Sequence, residues 1–119
     1  MDQRRNKSLG DWGETQACWF LERHGFSICD RNFHTTQGEI DVVAAKAGDH
    51  YFIEVKTRYR GDLATDLAVT PAQRYKLKKT IKTYCYRRSL ATGSLIMASL
   101  LVIIDRPARQ LSFRLAVIY

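Results

Sequence analysis

Two apolar runs joined by a short polar segment constrain the fold of this chain more than any other feature. The runs span residues 40–45 and 51–55, and the connecting residues 46–50 include Gly48. β-Branched and aromatic side chains on both sides of a glycine-containing connection are typical of a β-hairpin. The sequence therefore predicts two antiparallel strands here, and we expect the rest of the chain to pack around them.

Charged side chains interrupt both arms of this hairpin. Because side chains alternate between the faces of a strand, Glu39 and Asp41 share one face of the first arm. Glu54 and Lys56 share one face of the second arm for the same reason. A connection with an even number of residues places Asp41 opposite Glu54, and the same register places Glu39 opposite Lys56. An odd connection, or one β-bulge, places the two sets on opposite faces.

Two chemical interpretations of these charges remain open from the residues alone. Paired carboxylates repel each other unless a cation or an ammonium group offsets their charge. Asp41 and Glu54 offer the hard oxygen ligands that Mg²⁺ binds, with water and substrate phosphate completing the coordination. Lys56 would then orient an attacking water or stabilise a phosphoryl oxygen. The same residues are equally typical of a cross-strand salt-bridge cluster on a solvated sheet face.

Several short motifs are similar to those of known protein families. Asp41, followed after twelve residues by Glu54-Val55-Lys56, resembles the D-x(n)-E-x-K core of restriction-endonuclease-like nucleases. Over residues 9–90 the chain also resembles the bacterial YraN family, which is grouped with Holliday-junction-resolvase-like proteins. The motifs that carry this second resemblance are Gly13-Glu14, Asn32-Phe33, Gly38-Glu39-Ile40-Asp41, Glu54-Val55-Lys56-Thr57-Arg58 and Ala68-Val69-Thr70.

The resemblance implies a restriction-endonuclease-like α/β fold and a nuclease that hydrolyses phosphodiester bonds in DNA, branched DNA included. It implies Mg²⁺ or Mn²⁺ as the cofactor, bound by Asp41 and Glu54, and catalytic roles for Lys56 and Glu14. Glu39 and Gln73 are expected to contact these residues rather than the metal or the substrate, and so to support the site. Glu14 also has a structural interpretation, since a carboxylate in the first turn of a helix favours the helix dipole. A nucleic-acid-binding module that keeps the fold without catalysis is the alternative function.

The distribution of positive charge favours a polyanionic partner. The chain has a formal net charge of +7, and seven basic residues with no acid among them fall on a predicted helix at residues 71–91. Like charges on a helix forgo the i,i+4 ion pairs of a mixed surface, so we interpret this helix as a contact for phosphate groups. A merely soluble helix face is the other interpretation. The residues expected to contact nucleic acid, DNA in preference to RNA, are Arg58, Arg74, Lys78, Lys79 and Lys82.

The remaining elements follow from capping residues and apolar patterns. We expect one domain over residues 1–119, with a flexible arm at residues 1–8 and a mobile loop at residues 59–69. A helix should begin at Ser8 or Asp11 and run to about His24, with Gly25 as its terminator. Thr70 should cap the second helix, which ends near Gly93. With strands at 26–33, 95–104 and 111–119, the predicted order is α-β-β-β-α-β-β, a mixed sheet containing an antiparallel meander.

Cysteine usage and hydropathy bear on the cellular context. The three cysteines show no C-x-x-C spacing, which favours reduced thiols in a cytoplasmic protein. The basic N-terminus is not followed by the apolar segment of a secretory signal, and the longest apolar run, at residues 100–104, is too short to span a bilayer. We therefore expect no membrane association, and the similarity to resolvases implies a homodimer.

Overall fold

The computed structural model describes residues 3–62, 69–90 and 95–118, with side chains from residue 8 onward. A five-stranded mixed sheet has the strand order β1-β2-β3-β4-β5, in which only β3 and β4 are parallel neighbours. The predicted α/β class with a mixed sheet is confirmed. The elements are α1 (Gln3–Arg23), β1 (Ser27–Thr35), β2 (Gly38–Lys46), β3 (Asp49–Tyr59), a 3-10 turn (Arg60–Asp62), α2 (Pro71–Arg88), β4 (Leu95–Asp105) and β5 (Gln110–Val117).

The β2–β3 hairpin closes through a two-residue turn at Ala47 and Gly48. Both residues have positive φ, at 53° and 83°, as a type I′ turn requires. Lys46 pairs with Asp49 across the turn, and the same register continues to Val42 and Ile53. Of the two registers that the sequence leaves open, the structure therefore has the even one, and its continuation by one residue would place Asp41 opposite Glu54.

Helix α1 ends as the sequence predicts but begins earlier. The Phe26 amide bonds the Leu21 carbonyl and the Gly25 amide bonds the Glu22 carbonyl, which is a Schellman motif with Gly25 at a φ of 86°. Residues 3–8 are helical rather than the flexible arm that the sequence predicts. Arginine, lysine and glutamine are good helix formers, and they extend the helix toward the N-terminus past the expected caps.

The predicted N-terminal cap of α2 is also present, whereas the predicted C-terminal end is wrong. The Thr70 hydroxyl accepts from the Gln73 amide at 3.1 Å, and the Gln73 side chain accepts from the Thr70 amide at 2.9 Å. Helix α2 stops at Arg88 because Ser89 takes up the left-handed conformation, with φ at 54°. Gly93, the predicted terminator, lies outside the described residues.

The predicted loop at residues 59–69 is only partly a loop. Tyr59 is the last residue of β3, and Arg60–Asp62 forms a 3-10 turn in which Arg60 pairs with Asp105 at 2.9 Å. Residues 63–68 lie outside the described part of the chain. Residues 59–62 are therefore regular secondary structure, and the mobility of the segment stays a prediction.

The two helices cover opposite faces of the sheet and create two apolar layers. Helix α1 buries Ala17 and Leu21 against one face, and α2 buries Leu77, Ile81, Tyr84 and Cys85 against the other. Strand β4 contributes to both layers, as expected for an almost continuously apolar strand beside a parallel neighbour. No helix in the described segments is long and apolar enough to cross a membrane.

Candidate active site

A cleft of about 690 Å³ opens between the N-terminal part of α1, the hairpin and the start of α2. Every residue that the sequence and the resemblance assign to catalysis, metal binding or support lines this one cleft. The charged and polar residues that line it are Glu14, Glu39, Asp41, Glu54, Lys56, Thr57, Arg58, Thr70 and Gln73.

The cleft exists because β2 and β3 stop pairing at its edge. The last paired residues are Val42 and Ile53, and beyond them the Val55 amide donates to the Asp41 carboxylate at 2.8 Å. The carboxylate thus replaces a backbone carbonyl as the acceptor. This substitution keeps the amide satisfied where the strands part, and it fixes the orientation of the Asp41 side chain.

The side-chain alternation of β2 also breaks at this point. Ile40 and Val43 both pack in the layer beneath α2, whereas Val42 packs in the layer beneath α1. On the neighbouring strand, Asn32 has a φ of 53° opposite the same break. Strict alternation along β2, as the sequence predicts, is therefore wrong at Ile40. The local irregularity re-aims residues 39–41 toward the cleft.

The environment of Asp41 strongly favours its protonated form. Burial is the largest cause, and together with the negative charges of Glu14, Glu39 and Glu54 it raises the pKa of Asp41 to about 7, although the hydrogen bond from the Val55 amide opposes the effect. A cation in the cleft would reverse this effect, since it would favour the ionised carboxylate.

Helix α1 brings Glu14 to the cleft through a close approach at Gly13. A Cβ atom at Gly13 would overlap the hydroxyl of Thr57 on β3, so only glycine permits this helix–strand distance. Burial raises the pKa of Glu14, although a hydrogen bond from Asn32 and the charge of Arg31 oppose the effect. One carboxylate oxygen of Glu14, Oε2, is buried without a hydrogen bond and lies 3.8 Å from Arg31.

Lys56 and Glu54 reach the cleft from alternate positions of β3. Lys56 is one of two buried polar residues among those described, with 9% of its surface exposed. Glu54 is half-buried and also lines a smaller cavity of about 180 Å³ beneath α2. A lysine at this depth brings positive charge into a site where solvent screening is weak.

The two residues expected to support the site have other partners as well. Glu39 contacts His34 at 3.1 Å and is largely exposed, and its expected role of supporting the site stays a prediction. Gln73 lines the cleft, but its side-chain oxygen is used in the capping box of α2. Its local role is therefore to fix the start of the helix.

The donor set is consistent with a weakly coordinated divalent ion rather than a caged one. Within the described ranges, no three His, Cys, Asp or Glu side chains converge as a metal cluster. Mg²⁺ commonly binds through one or two carboxylates, with water and substrate phosphate as further ligands. The buried, unsatisfied oxygen of Glu14 and the raised pKa of Asp41 fit such an ion, for which Asp41 and Glu54 would be the protein ligands.

The basic residues of α2 do not form a single surface. Lys78, Lys79 and Lys82 are exposed along the helix, and Lys79 lies 4.6 Å from the centre of the Tyr75 ring. Arg58 lines the cleft, and Arg74 is half-buried on the other side of the helix start. Two members of the basic set have structural contacts, Arg87 over Phe33 and Arg88 with Asp30 at 3.1 Å.

Sequence reasoning missed the contributions of Asn32 and Arg31 to the site. Asn32 belonged to a family motif, but no role followed from its position. An asparagine within a predicted strand was the available signal, since asparagine tolerates the left-handed conformation. Arg31 gave no local signal, because its contact with Glu14 joins residues far apart in the chain.

A mixed sheet with a helix on each face, opened at one hairpin end into a cleft of carboxylates and a lysine, defines an α/β nuclease-like fold. The chain belongs to the uncharacterised protein family UPF0102, whose family model matches residues 13–118. This is the YraN family, and the predicted membership is confirmed.

Relatives that match this chain carry the same family name. A UPF0102 protein of Syntrophomonas wolfei is 42% identical over 80 residues, which cover 66% of this chain and 70% of the relative. One from Geobacter metallireducens is 44% identical over 80 residues, covering 66% of each. The UPF0102 protein CPE1705 of Clostridium perfringens is 35% identical over 89 residues, covering 74% and 73%.

Proposed function

We propose that this protein is a divalent-metal-dependent nuclease that hydrolyses phosphodiester bonds in DNA, with branched or otherwise structured DNA as the expected substrate. The observation that carries the proposal is that Asp41, Glu54, Lys56 and Glu14 all line one cleft. Asp41, Glu54 and Lys56 come from the two strands of the hairpin, and Glu14 comes from helix α1, which precedes β1 in the chain. A solvated salt-bridge cluster would not require the burial of Lys56 or of the Glu14 oxygen.

Asp41 and Glu54 would hold Mg²⁺ or Mn²⁺, which when bound offsets charge on the phosphoryl oxygens and lowers the pKa of coordinated water. The Val55 amide keeps the Asp41 carboxylate in position throughout. Lys56 places an ammonium group in the cleft, where it can orient the attacking water or stabilise charge that develops on phosphate. Glu14 adds a third carboxylate from the opposite wall.

Substrate binding would depend on the phosphate backbone rather than on base sequence. Arg58 lines the cleft itself, and Lys78, Lys79 and Lys82 extend positive charge along the exposed side of α2. Contacts of this kind position a nucleic acid but carry no direct sequence information. We therefore expect binding that weakens as salt rises and shows little sequence preference.

Cleavage assays with purified protein test this function. Four-way junction, flap and single-stranded DNA should be incubated with Mg²⁺, with Mn²⁺ and with EDTA, and cutting is expected only with a divalent ion. Asp41→Asn and Lys56→Ala should each lower the rate by about a hundredfold or more. Asp49→Asn is a matched control, because Asp49 lies at the turn end of the same hairpin.

Two results would contradict the nuclease proposal. One is the absence of cleavage of all three DNA substrates, and the other is cleavage by Asp41→Asn and Lys56→Ala at the parent rate. If DNA is bound in a salt-dependent way that Asp41→Asn leaves unchanged, and nothing is cut, the protein is instead a binding module without catalysis.

A further inference from the structure

A second cavity lies beside the cleft, on the face of the sheet that α2 covers. It is a groove of about 400 Å³ between the start of α2 and strands β4 and β5. Among the described residues that line it, Arg74 and Arg114 are the charged ones, and Ser99 adds a hydroxyl group. Leu101 and Ala116 are part of its apolar lining. We call this cavity the arginine groove.

Strand register connects the arginine groove to the cleft. Lys56 pairs with Leu101 on β4, and Leu101 pairs with Arg114 on β5. Directly paired residues lie on the same face of a sheet, so Lys56 and Arg114 belong to one row. Adjacent strands are about 4.8 Å apart, which places Arg114 about 10 Å from Lys56 across the sheet. Glu54 and Ser99 pair in the next row of the same face.

The start of α2 borders both cavities. Thr70 and Gln73 line the cleft, whereas Val69 and Arg74 line the arginine groove. The capping box fixes the backbone of this turn, and with it the separation between Gln73 in the cleft and Arg74 in the groove. A ligand that occupies one cavity and continues past this turn would therefore enter the other cavity.

The chemistry of the groove suits a phosphodiester. A guanidinium group donates two parallel hydrogen bonds to phosphate oxygens and keeps its charge at any physiological pH. Two such groups approach from different elements, Arg74 from α2 and Arg114 from β5. The apolar lining suits the uncharged parts of a nucleotide strand.

We propose that the arginine groove binds a backbone phosphate of the substrate strand that flanks the phosphate in the cleft, with Arg114 and Arg74 as its ligands. This inference rests on the proposed function and deepens it. It means that the substrate is a strand continuing beyond the reacting phosphate. A mononucleotide diester, which has no flanking phosphate, should then be a poor substrate.

Three variants with the same change in net charge test the groove. Arg114→Gln removes a groove guanidinium, Ala116→Glu adds a carboxylate to the groove lining, and Arg109→Gln removes a charge from the exposed β4–β5 turn. Arg114 and Ala116 are exposed, so neither change disturbs the core. Binding of a fluorescein-labelled single-stranded DNA is measured by anisotropy in EDTA over a range of salt concentrations.

Arg114→Gln should weaken binding severalfold and reduce the slope of log affinity against log salt by about one. Ala116→Glu should weaken binding as well, whereas Arg109→Gln should match the parent. Where cleavage occurs, Arg114→Gln should raise KM with little change in kcat, because the groove binds a phosphate that does not react.

The outcomes separate the groove from the nuclease proposal. The proposed phosphate site in the arginine groove is contradicted if Arg114→Gln and Arg109→Gln give equal salt slopes. It is also contradicted if the parent binds no DNA. Either result would leave open whether the cleft is catalytic. If Arg114→Gln has a smaller salt slope than the parent, but the parent cuts no DNA, the phosphate site in the groove is supported and the nuclease function is contradicted.

Discussion

Replacing Asp41 with asparagine should stabilise the metal-free protein at alkaline pH. Burial and three nearby carboxylates raise the pKa of Asp41 to about 7, compared with about 3.9 in an unfolded chain. Between these values the native state binds more protons than the unfolded state, so stability falls as pH rises. Once pH exceeds the folded pKa, the loss amounts to about 4 kcal/mol. Asparagine keeps an oxygen acceptor for the Val55 amide and removes the charge.

Urea unfolding in EDTA between about pH 5 and about pH 8 measures this effect. The free energy of unfolding of the parent should fall across this range by about 3 kcal/mol more than that of Asp41→Asn, because part of the full loss already occurs below about pH 5. Glu22→Gln is the matched control, because it removes one carboxylate from an exposed position of α1 and should keep the pH dependence of the parent.

Divalent ions extend the same experiment to the proposed metal site. An ion that binds only the native state stabilises it by about 2.7 kcal/mol at a concentration one hundred times its Kd. Mg²⁺ or Mn²⁺ should therefore restore stability to the parent near pH 8 and leave Asp41→Asn unchanged. Parallel pH curves for the parent and Asp41→Asn would refute the electrostatic reasoning. If the stability of the parent falls with pH as expected but neither ion raises it, the metal site is contradicted and the electrostatic reasoning is not.

Three further substitutions test individual contacts and conformations of the fold, each by urea or thermal unfolding. Gly13→Ala should destabilise by about 1 to 3 kcal/mol because its methyl group meets Thr57, and a gain in stability from this change would contradict the close approach. Tyr84→Phe should cost about 1 to 2 kcal/mol, since the Tyr84 hydroxyl donates to Asp30 at 2.8 Å; an unchanged midpoint would show that this hydrogen bond adds nothing. Ala47→Gly should stabilise the protein by about 0.5 kcal/mol, because glycine adopts the positive φ of this turn without strain. The gain is small because glycine loses more entropy on folding. A loss of stability would argue against the type I′ turn.

Gly10→Ala provides the matched control for the change at Gly13. Both glycines lie in α1, but a Cβ atom at Gly10 would meet nothing within 4 Å. Alanine is the better helix former, so Gly10→Ala should stabilise by about 1 kcal/mol. Opposite signs for the two substitutions would isolate the helix–strand contact from helix propensity.

Local sequence signals account for much of the architecture. Apolar runs around Gly48 predict the hairpin, Gly25 predicts the end of α1, and Thr70 with its following proline predicts the start of α2. Each signal acts through backbone preferences or hydrogen bonds within a few residues, so it is readable without tertiary contacts. The end of α2 was misjudged because Ser89, which gives no strong signal, adopts the left-handed conformation.

The candidate site was predictable only in part. The alternation of the hairpin indicates that Asp41, Glu54 and Lys56 share one end, and the resemblance adds Glu14. Neither indicates that the ladder ends at Val42, nor that the Asp41 carboxylate then accepts from a backbone amide. Those features depend on how three strands twist against one another.

The sequence by itself determined which segments become helices and strands, and which residue types with catalytic potential those segments carry. Hydrophobic period, capping residues and turn residues are short-range properties, so they are written locally in the chain. Only the tertiary structure decided that Gly13 brings Glu14 against β3, and that Arg114 lies in the same sheet row as Lys56. These placements result from packing and strand pairing between residues far apart in the chain, and no local pattern specifies them.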